Sequence, residues 1–166
     1  MISFLLALAV AAQTSDSVRQ ARYERVLNNA TDALDRVRGA TAGFRTDLPT
    51  ASASLVLDRA ERVRGTCRDA GAAVGAVDSL MAQGLYVGHA QHQQSELMSG
   101  GAELRRVLTQ CERQWRTPTP PTYAAADTLR AWGPYRTAQL DAALRRYLAV
   151  VRGFMKKASL KKPAVS

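Results

Sequence analysis

Residues 56–81 read VLDRAERVRGTCRDAGAAVGAVDSLM, and small or apolar residues recur in them at alternating steps of four and three. The positions with this spacing are Val56, Ala60, Val63, Cys67, Ala70, Val74, Val77 and Met81. Such a period places the side chains on one face of an α-helix, where they pack against a neighbouring helix. Gly65, Gly71 and Gly75 lie on or near this face and predict close helix approach.

Three other segments carry the same spacing. The first has Tyr23, Leu27, Ala30, Leu34, Val37, Thr41, Phe44 and Leu48. The third has Leu97, Gly101, Leu104, Leu108, Cys111 and Trp115, and the fourth has Leu140, Leu144, Tyr147, Val151 and Phe154. Four segments with one 3.5-residue period predict an all-α protein, folded as a left-handed four-helix bundle with heptad-like packing.

Short connections rich in helix-breaking residues separate the segments, at Pro49, at residues 84–94 and at the TPTPP run of residues 117–121. Connections this short predict antiparallel neighbours and an up-down-up-down topology. Ser52 and Thr122 are expected to cap the second and fourth helices. The Trp132-Gly133-Pro134 stretch predicts a break or kink, with a short helix at about residues 123–132 and a long one from about 134 to 157.

The chain divides into an N-terminal segment, one bundle domain over residues 13–157, and a basic, disordered tail over residues 158–166. Residues 2–12 are uncharged and apolar, with an Ala-x-Ala pattern at residues 9–11. The pattern predicts a signal peptide cleaved after Ala11 or Ala12, and hence a periplasmic or secreted protein. No Lys or Arg precedes the run, so an uncleaved segment that holds the protein at a membrane is the alternative. Eleven helical residues rise only about 16 Å, too little to span a bilayer.

Cys67 and Cys111 both fall on packing faces, about 21 and 23 residues from the centre of the connection between the second and third helices. At about 1.5 Å per residue they lie at nearly the same height on an antiparallel pair. In an exported protein this geometry predicts a disulfide. The alternative is two buried thiols that are never oxidised.

No motif in the sequence points to catalysis. Covalent haem attachment needs C-x-x-C-H, and a di-iron bundle needs inward carboxylates with Glu-x-x-His; the chain has neither. We therefore expect a non-enzymatic protein without a cofactor. The alternative is a small-ligand or copper-binding bundle that uses the only two histidines, His89 and His92, with the thioethers of Met81 and Met98.

Positive charge is concentrated at the C-terminal end of the fourth helix. After Asp141 there is no acidic residue, and seven basic residues carry +7 of the formal net charge of +9: Arg145, Arg146, Arg152, Lys156, Lys157, Lys161 and Lys162. These residues predict a contact surface for an envelope protein, a membrane-complex subunit, or an anionic membrane or cell wall. A solubilising tail is the alternative. Binding to nucleic acid is not expected, because export opposes it and no aromatic residues are interleaved with the charges.

Overall fold

The chain forms four α-helices in a computed structural model that describes residues 2–46, 50–84, 91–118, 120 and 122–160, with backbone alone for residues 2–16, 45 and 46. The helices are α1 (Ile2–Thr46), α2 (Ala53–Ala82), α3 (Gln91–Gln114) and α4 (Tyr123–Lys157). These ranges contain no β-strand, so the predicted all-α class is confirmed. The predicted helix starts are also confirmed, because the Ser52 and Thr122 hydroxyls accept hydrogen bonds from backbone N–H groups of the first turns of α2 and α4.

Neighbouring helices run antiparallel around the bundle. The Tyr23 ring of α1 stacks on the Phe154 ring of α4, and Arg38, fifteen residues later in α1, bonds to Asp141, thirteen residues earlier in α4. Each helix contacts the next along the chain, α1 contacts α4, and α2 also contacts α4 across the bundle. The predicted four-helix bundle is thereby confirmed.

The core consists of the residues that the 4-3 spacing selects. Every one of those residues that the structure describes is buried, and only Leu48 lies outside the described residues. The largest buried side chains include Trp115 and Phe44, whose rings meet edge to face with centroids 4.5 Å apart. Burial of these faces supplies the main driving force for folding.

The two cysteines join α2 to α3. Their sulfur atoms lie at bonding distance and their Cα atoms are 6.2 Å apart. Nearer the connection between the two helices, the Gln94 side-chain amide donates to the Met81 carbonyl at 2.8 Å, which pairs the start of α3 with the end of α2. The predicted pairing of Cys67 with Cys111 on an antiparallel hairpin is thus present.

The predicted break in the fourth helix is wrong, because α4 continues through Pro134. Pro134 is exposed and lacks an N–H, so the helix loses one backbone hydrogen bond at its solvent-facing side. The packing face is uninterrupted there, since Gly133 and Thr137 are buried. The Thr137 hydroxyl donates to the Pro134 carbonyl at 2.8 Å. The small and polar residues at these two positions concealed the continuous spacing in the sequence.

The predicted disordered tail is wrong for its first three residues, because residues 158–160 close α4. The N–H of Leu160 donates to the Met155 carbonyl, and that of Ser159 donates to the Lys156 carbonyl. Ser159 has a φ of 55°, and Leu160 is buried. These are the bonds and the left-handed residue of a Schellman cap. The rest of the predicted tail, residues 161–166, lies outside the described residues.

Candidate functional site: a basic end of the bundle

Basic side chains from α1 and α4 meet at one end of the bundle. The stacked rings of Tyr23 and Phe154, whose centroids are 6.4 Å apart, fix the relative height of the two helices there. Exposed basic residues of both helices surround this pair, and we call them the basic end: Arg19, Arg22, Arg25, Arg152, Lys156 and Lys157.

Of the predicted α4 contact residues that the structure describes, two lie near carboxylates and three do not. Arg145 pairs with Asp141 at 2.7 Å, and Arg146 approaches Glu103 at 3.7 Å, so carboxylates offset the charge of both. Arg152, Lys156 and Lys157 are exposed, and no carboxylate in the described part of the chain pairs with them. These three are therefore the α4 charges available to a partner, whereas Lys161 and Lys162 lie outside the described residues.

The α1 arginines were missed by the sequence argument. Counting charge along the chain places the excess only at the C-terminus, and Glu24 partly offsets the arginines around it. The antiparallel packing of α1 on α4 brings Arg19, Arg22 and Arg25 to the same end. The signal was present in the combination of the Tyr23 packing position with the up-down-up-down topology, which makes the start of α1 and the end of α4 neighbours.

The buried carboxylate of Asp141 pairs with Arg145, the first residue of the contact surface that the sequence predicted on α4. The Asp141 side chain is only 4% exposed, and it pairs with Arg145 on its own helix and with Arg38 of α1 at 3.3 Å. A buried charge is tolerated when it is paired and hydrogen-bonded. Asp141 therefore helps to hold α1 against α4. The 4-3 spacing of the sequence selects Leu140 as the packing residue and so gives no sign that Asp141 is buried.

A second polar cluster lies inside the bundle, where α2, α3 and α4 meet. The Asp78 carboxylate packs against the backbone of Gly101, and the Tyr147 ring packs against Gly100. Arg105 lies 2.8 Å from Asp78, but neither Asp78 oxygen nor the Tyr147 hydroxyl has a hydrogen-bond partner among the described residues. Burial raises the pKa of the Asp78 carboxyl, and Arg105 opposes the rise. Burial, together with the charge of Asp78, likewise raises the pKa of Tyr147.

Close helix approach occurs at α3 and not at the α2 glycines that the sequence singled out. A Cβ added to Gly65, Gly71 or Gly75 would meet no neighbouring atom within 4 Å, so the expectation for these glycines is wrong. A Cβ on Gly101 would overlap the Asp78 carboxylate. Gly101 is therefore the point at which α3 requires glycine, whereas a Cβ on Gly100 would make an ordinary contact with the Tyr147 ring at 3.4 Å.

A cavity of about 300 Å³ opens between α3 and α4 beside this cluster. The Tyr147 ring and Gly100 line it, together with Ser99, Glu103 and Arg146. Its charged groups are exposed, and Glu103 and Arg146 approach each other. The arrangement offers no activated nucleophile, because the Ser99 hydroxyl donates to the Glu96 carbonyl of its own helix.

Of the residues predicted to bind copper, three lie within the described residues, and they differ in exposure. Met81 is buried in the core, whereas Met98 is exposed and the exposed His92 lies 3.4 Å from Glu96. His89 lies outside the described residues. Within the part of the chain that the structure describes, no group of three or more His, Cys, Asp or Glu residues is arranged to hold a metal ion. Copper binding stays a prediction.

Within the described residues, no helix combines the length and the apolar composition that a membrane span requires. Bonded cysteines are compatible with an oxidising compartment. Comparison of the chain with protein-family models, with curated proteins and with solved structures gives no match. Function is therefore inferred from the residues of the site.

Proposed function

We propose that this protein is a non-enzymatic helical bundle of the cell envelope that binds an anionic partner through the basic end. The observation that supports the proposal most strongly is the exposure of Arg152, Lys156 and Lys157 without a carboxylate partner in the described residues. Like charges grouped at one end of a rigid bundle repel each other, and an anionic partner relieves this repulsion. Nucleic acid is not the proposed partner.

Two features support the location. Residues 2–12 have the apolar composition of an export segment, and the Cys67–Cys111 bond suits the periplasm or the outside of the cell. Expression with the native N-terminus in a bacterial host, followed by fractionation and intact-mass measurement, tests this part. Export predicts recovery outside the cytoplasm, and a reduced protein found only in the cytoplasm contradicts it.

The contact surface is tested by neutralising it without removing the end of the helix. Truncation after Gly153 is unsuitable, because Phe154, Met155 and Leu160 are buried. The test variant is R152Q/K156Q/K157Q. The matched control is R106Q/R113Q/R116Q, which removes the same charge from exposed residues in α3 and just after its end.

Both variants and the unmodified chain are titrated against two anionic probes, dextran sulfate and vesicles that contain phosphatidylglycerol. The proposal predicts that the test variant loses most of its affinity for at least one probe, while the control retains most of it. Equal affinities of the two variants for both probes would show that general positive charge, and not the basic end, determines binding.

A further inference from the structure

The N-terminal part of α1 extends out of the bundle at the basic end. Beyond the stacked Tyr23 and Phe154, α4 ends after three more residues at Lys157, whereas α1 continues in the opposite chain direction for 21 residues to Ile2. At about 1.5 Å per residue, α4 extends about 5 Å past the ring pair and α1 about 31 Å. The N-terminal segment is thus joined to the bundle at the place where the positive charge is gathered.

The order of residues along this helix matches the layers of a lipid monolayer. Residues 2–12 are apolar and uncharged, residues 13–18 are mostly polar, and Arg19, Arg22 and Arg25 follow. These eleven residues rise about 16 Å, about the depth of one leaflet's hydrocarbon. From Ala12 to Arg19 the rise is about 10 Å, which crosses a headgroup region of about 5–8 Å and brings Arg19 to its outer edge.

The backbone gives a reason for the apolar segment to be retained. The predicted cleavage site at Ala11 or Ala12 lies inside α1, which is helical without interruption from Ile2 to Thr46. Proteolysis concentrates at exposed loops and chain ends that are not tied into regular structure. In the folded chain, the continuous helix therefore offers no loop at this site for proteolysis.

We propose that the partner of the basic end is a bilayer rich in anionic phospholipid, with residues 2–12 inserted into one leaflet and the basic end on its headgroups. This inference rests on the proposed function and names its partner. A short apolar segment or a basic patch alone binds membranes weakly, and stable attachment needs both signals. A cell-wall polymer would satisfy the charge but would leave the apolar segment in water.

The experiment uses the full chain and vesicles of neutral phosphatidylcholine, with and without phosphatidylglycerol. Three variants separate the contributions: R22Q/R25Q for the α1 side, R152Q/K156Q/K157Q for the α4 side, and L5Q/L6Q/L8Q for the apolar segment. The controls R106Q/R113Q and R106Q/R113Q/R116Q match the two charge variants. Circular dichroism confirms that each variant is folded.

Each basic residue near an anionic surface strengthens binding by about fivefold at low salt. The R22Q/R25Q variant is therefore expected to bind anionic vesicles on the order of 30-fold more weakly, and the α4 variant on the order of 100-fold more weakly. High salt removes most of these differences, because it screens exposed charges. The L5Q/L6Q/L8Q variant is expected to lose the binding that persists at high salt.

The outcomes distinguish this inference from the proposed function. If the α4 variant alone weakens binding, the basic end has an anionic partner but the bilayer arrangement is wrong. The same conclusion follows if the unmodified chain binds dextran sulfate and not vesicles. If neither charge variant differs from its control on either probe, both proposals fail.

Discussion

Replacing Gly101 by alanine gives the sharpest test of how α2 and α3 pack. In an exposed helix interior this change stabilises a protein by about 1 kcal/mol, because alanine has the higher helix propensity. At Gly101 the new Cβ would lie 3.2 Å from the Asp78 Cγ and closer still to its Oδ1. Arg105 holds the same carboxylate at 2.8 Å, which limits its freedom to move away.

Overpacking of this kind costs about 1–3 kcal/mol. Set against the propensity gain, G101A is expected to lower the free energy of unfolding by up to about 2 kcal/mol. The matched control is G75A in α2, where the added Cβ meets no atom within 4 Å. This control is expected to raise the free energy of unfolding by about 0.5–1 kcal/mol.

A double-mutant cycle identifies Asp78 as the cause. In a D78A background the Cβ has room, so G101A is expected to become stabilising, with a coupling energy of about 1–3 kcal/mol. Urea denaturation followed by circular dichroism, with the disulfide intact, measures all four proteins. If G101A stabilised the unmodified chain as much as G75A does, the close approach of Asp78 to α3 would be refuted.

Three further predictions concern the disulfide, the helix end and the buried carboxyl. Replacing both Cys67 and Cys111 by serine should lower the free energy of unfolding by about 4 kcal/mol, from the entropy of the 44-residue loop; an unchanged denaturation midpoint would show that the bond does not form. S159G should stabilise by about 0.5–1 kcal/mol, because glycine adopts the left-handed φ of 55° without strain; calorimetry showing a lower Tm would contradict the cap. The pKa of Asp78 is raised in the folded protein, so protonation of this carboxyl favours the folded state. This contribution to the free energy of unfolding is complete below the ordinary pKa of 3.8 and is lost as pH rises through the raised pKa. The stability of D78N relative to the unmodified chain should therefore increase from pH 3 to pH 7, and a relative decrease would mean that the pairing with Arg105 outweighs burial.

Periodicity was sufficient for the fold because one spacing persists through nearly all the packing positions. Periodicity also predicted the disulfide, because the constant rise per helical residue places Cys67 and Cys111 at similar distances from the connection between α2 and α3. It failed at Pro134, because neither of the buried residues Gly133 and Thr137 counts as apolar in such a pattern. It also missed Asp141, whose burial depends on the pairing with Arg38 of a neighbouring helix.

The sequence predicted the α4 charges of the candidate site but not the α1 arginines. The α4 charges form one run in the sequence, so position along the chain revealed them. Arg22 and Arg25 are distant from that run in sequence, and their proximity is created by the stacking of Tyr23 on Phe154. Charge that is gathered by tertiary packing cannot be found by counting along a chain.

Acetylation of lysine amines reports directly on whether the basic end lies on the membrane, because all four lysines of the chain lie between residues 156 and 162. The modification rates of Lys156 and Lys157 are measured by mass spectrometry for the full chain alone, with phosphatidylcholine vesicles, and with vesicles that contain phosphatidylglycerol. If the basic end lies on the headgroups, both rates fall when anionic vesicles bind the protein. Unchanged rates in a sample that sediments with those vesicles would contradict this placement, because the basic end would then face away from the membrane.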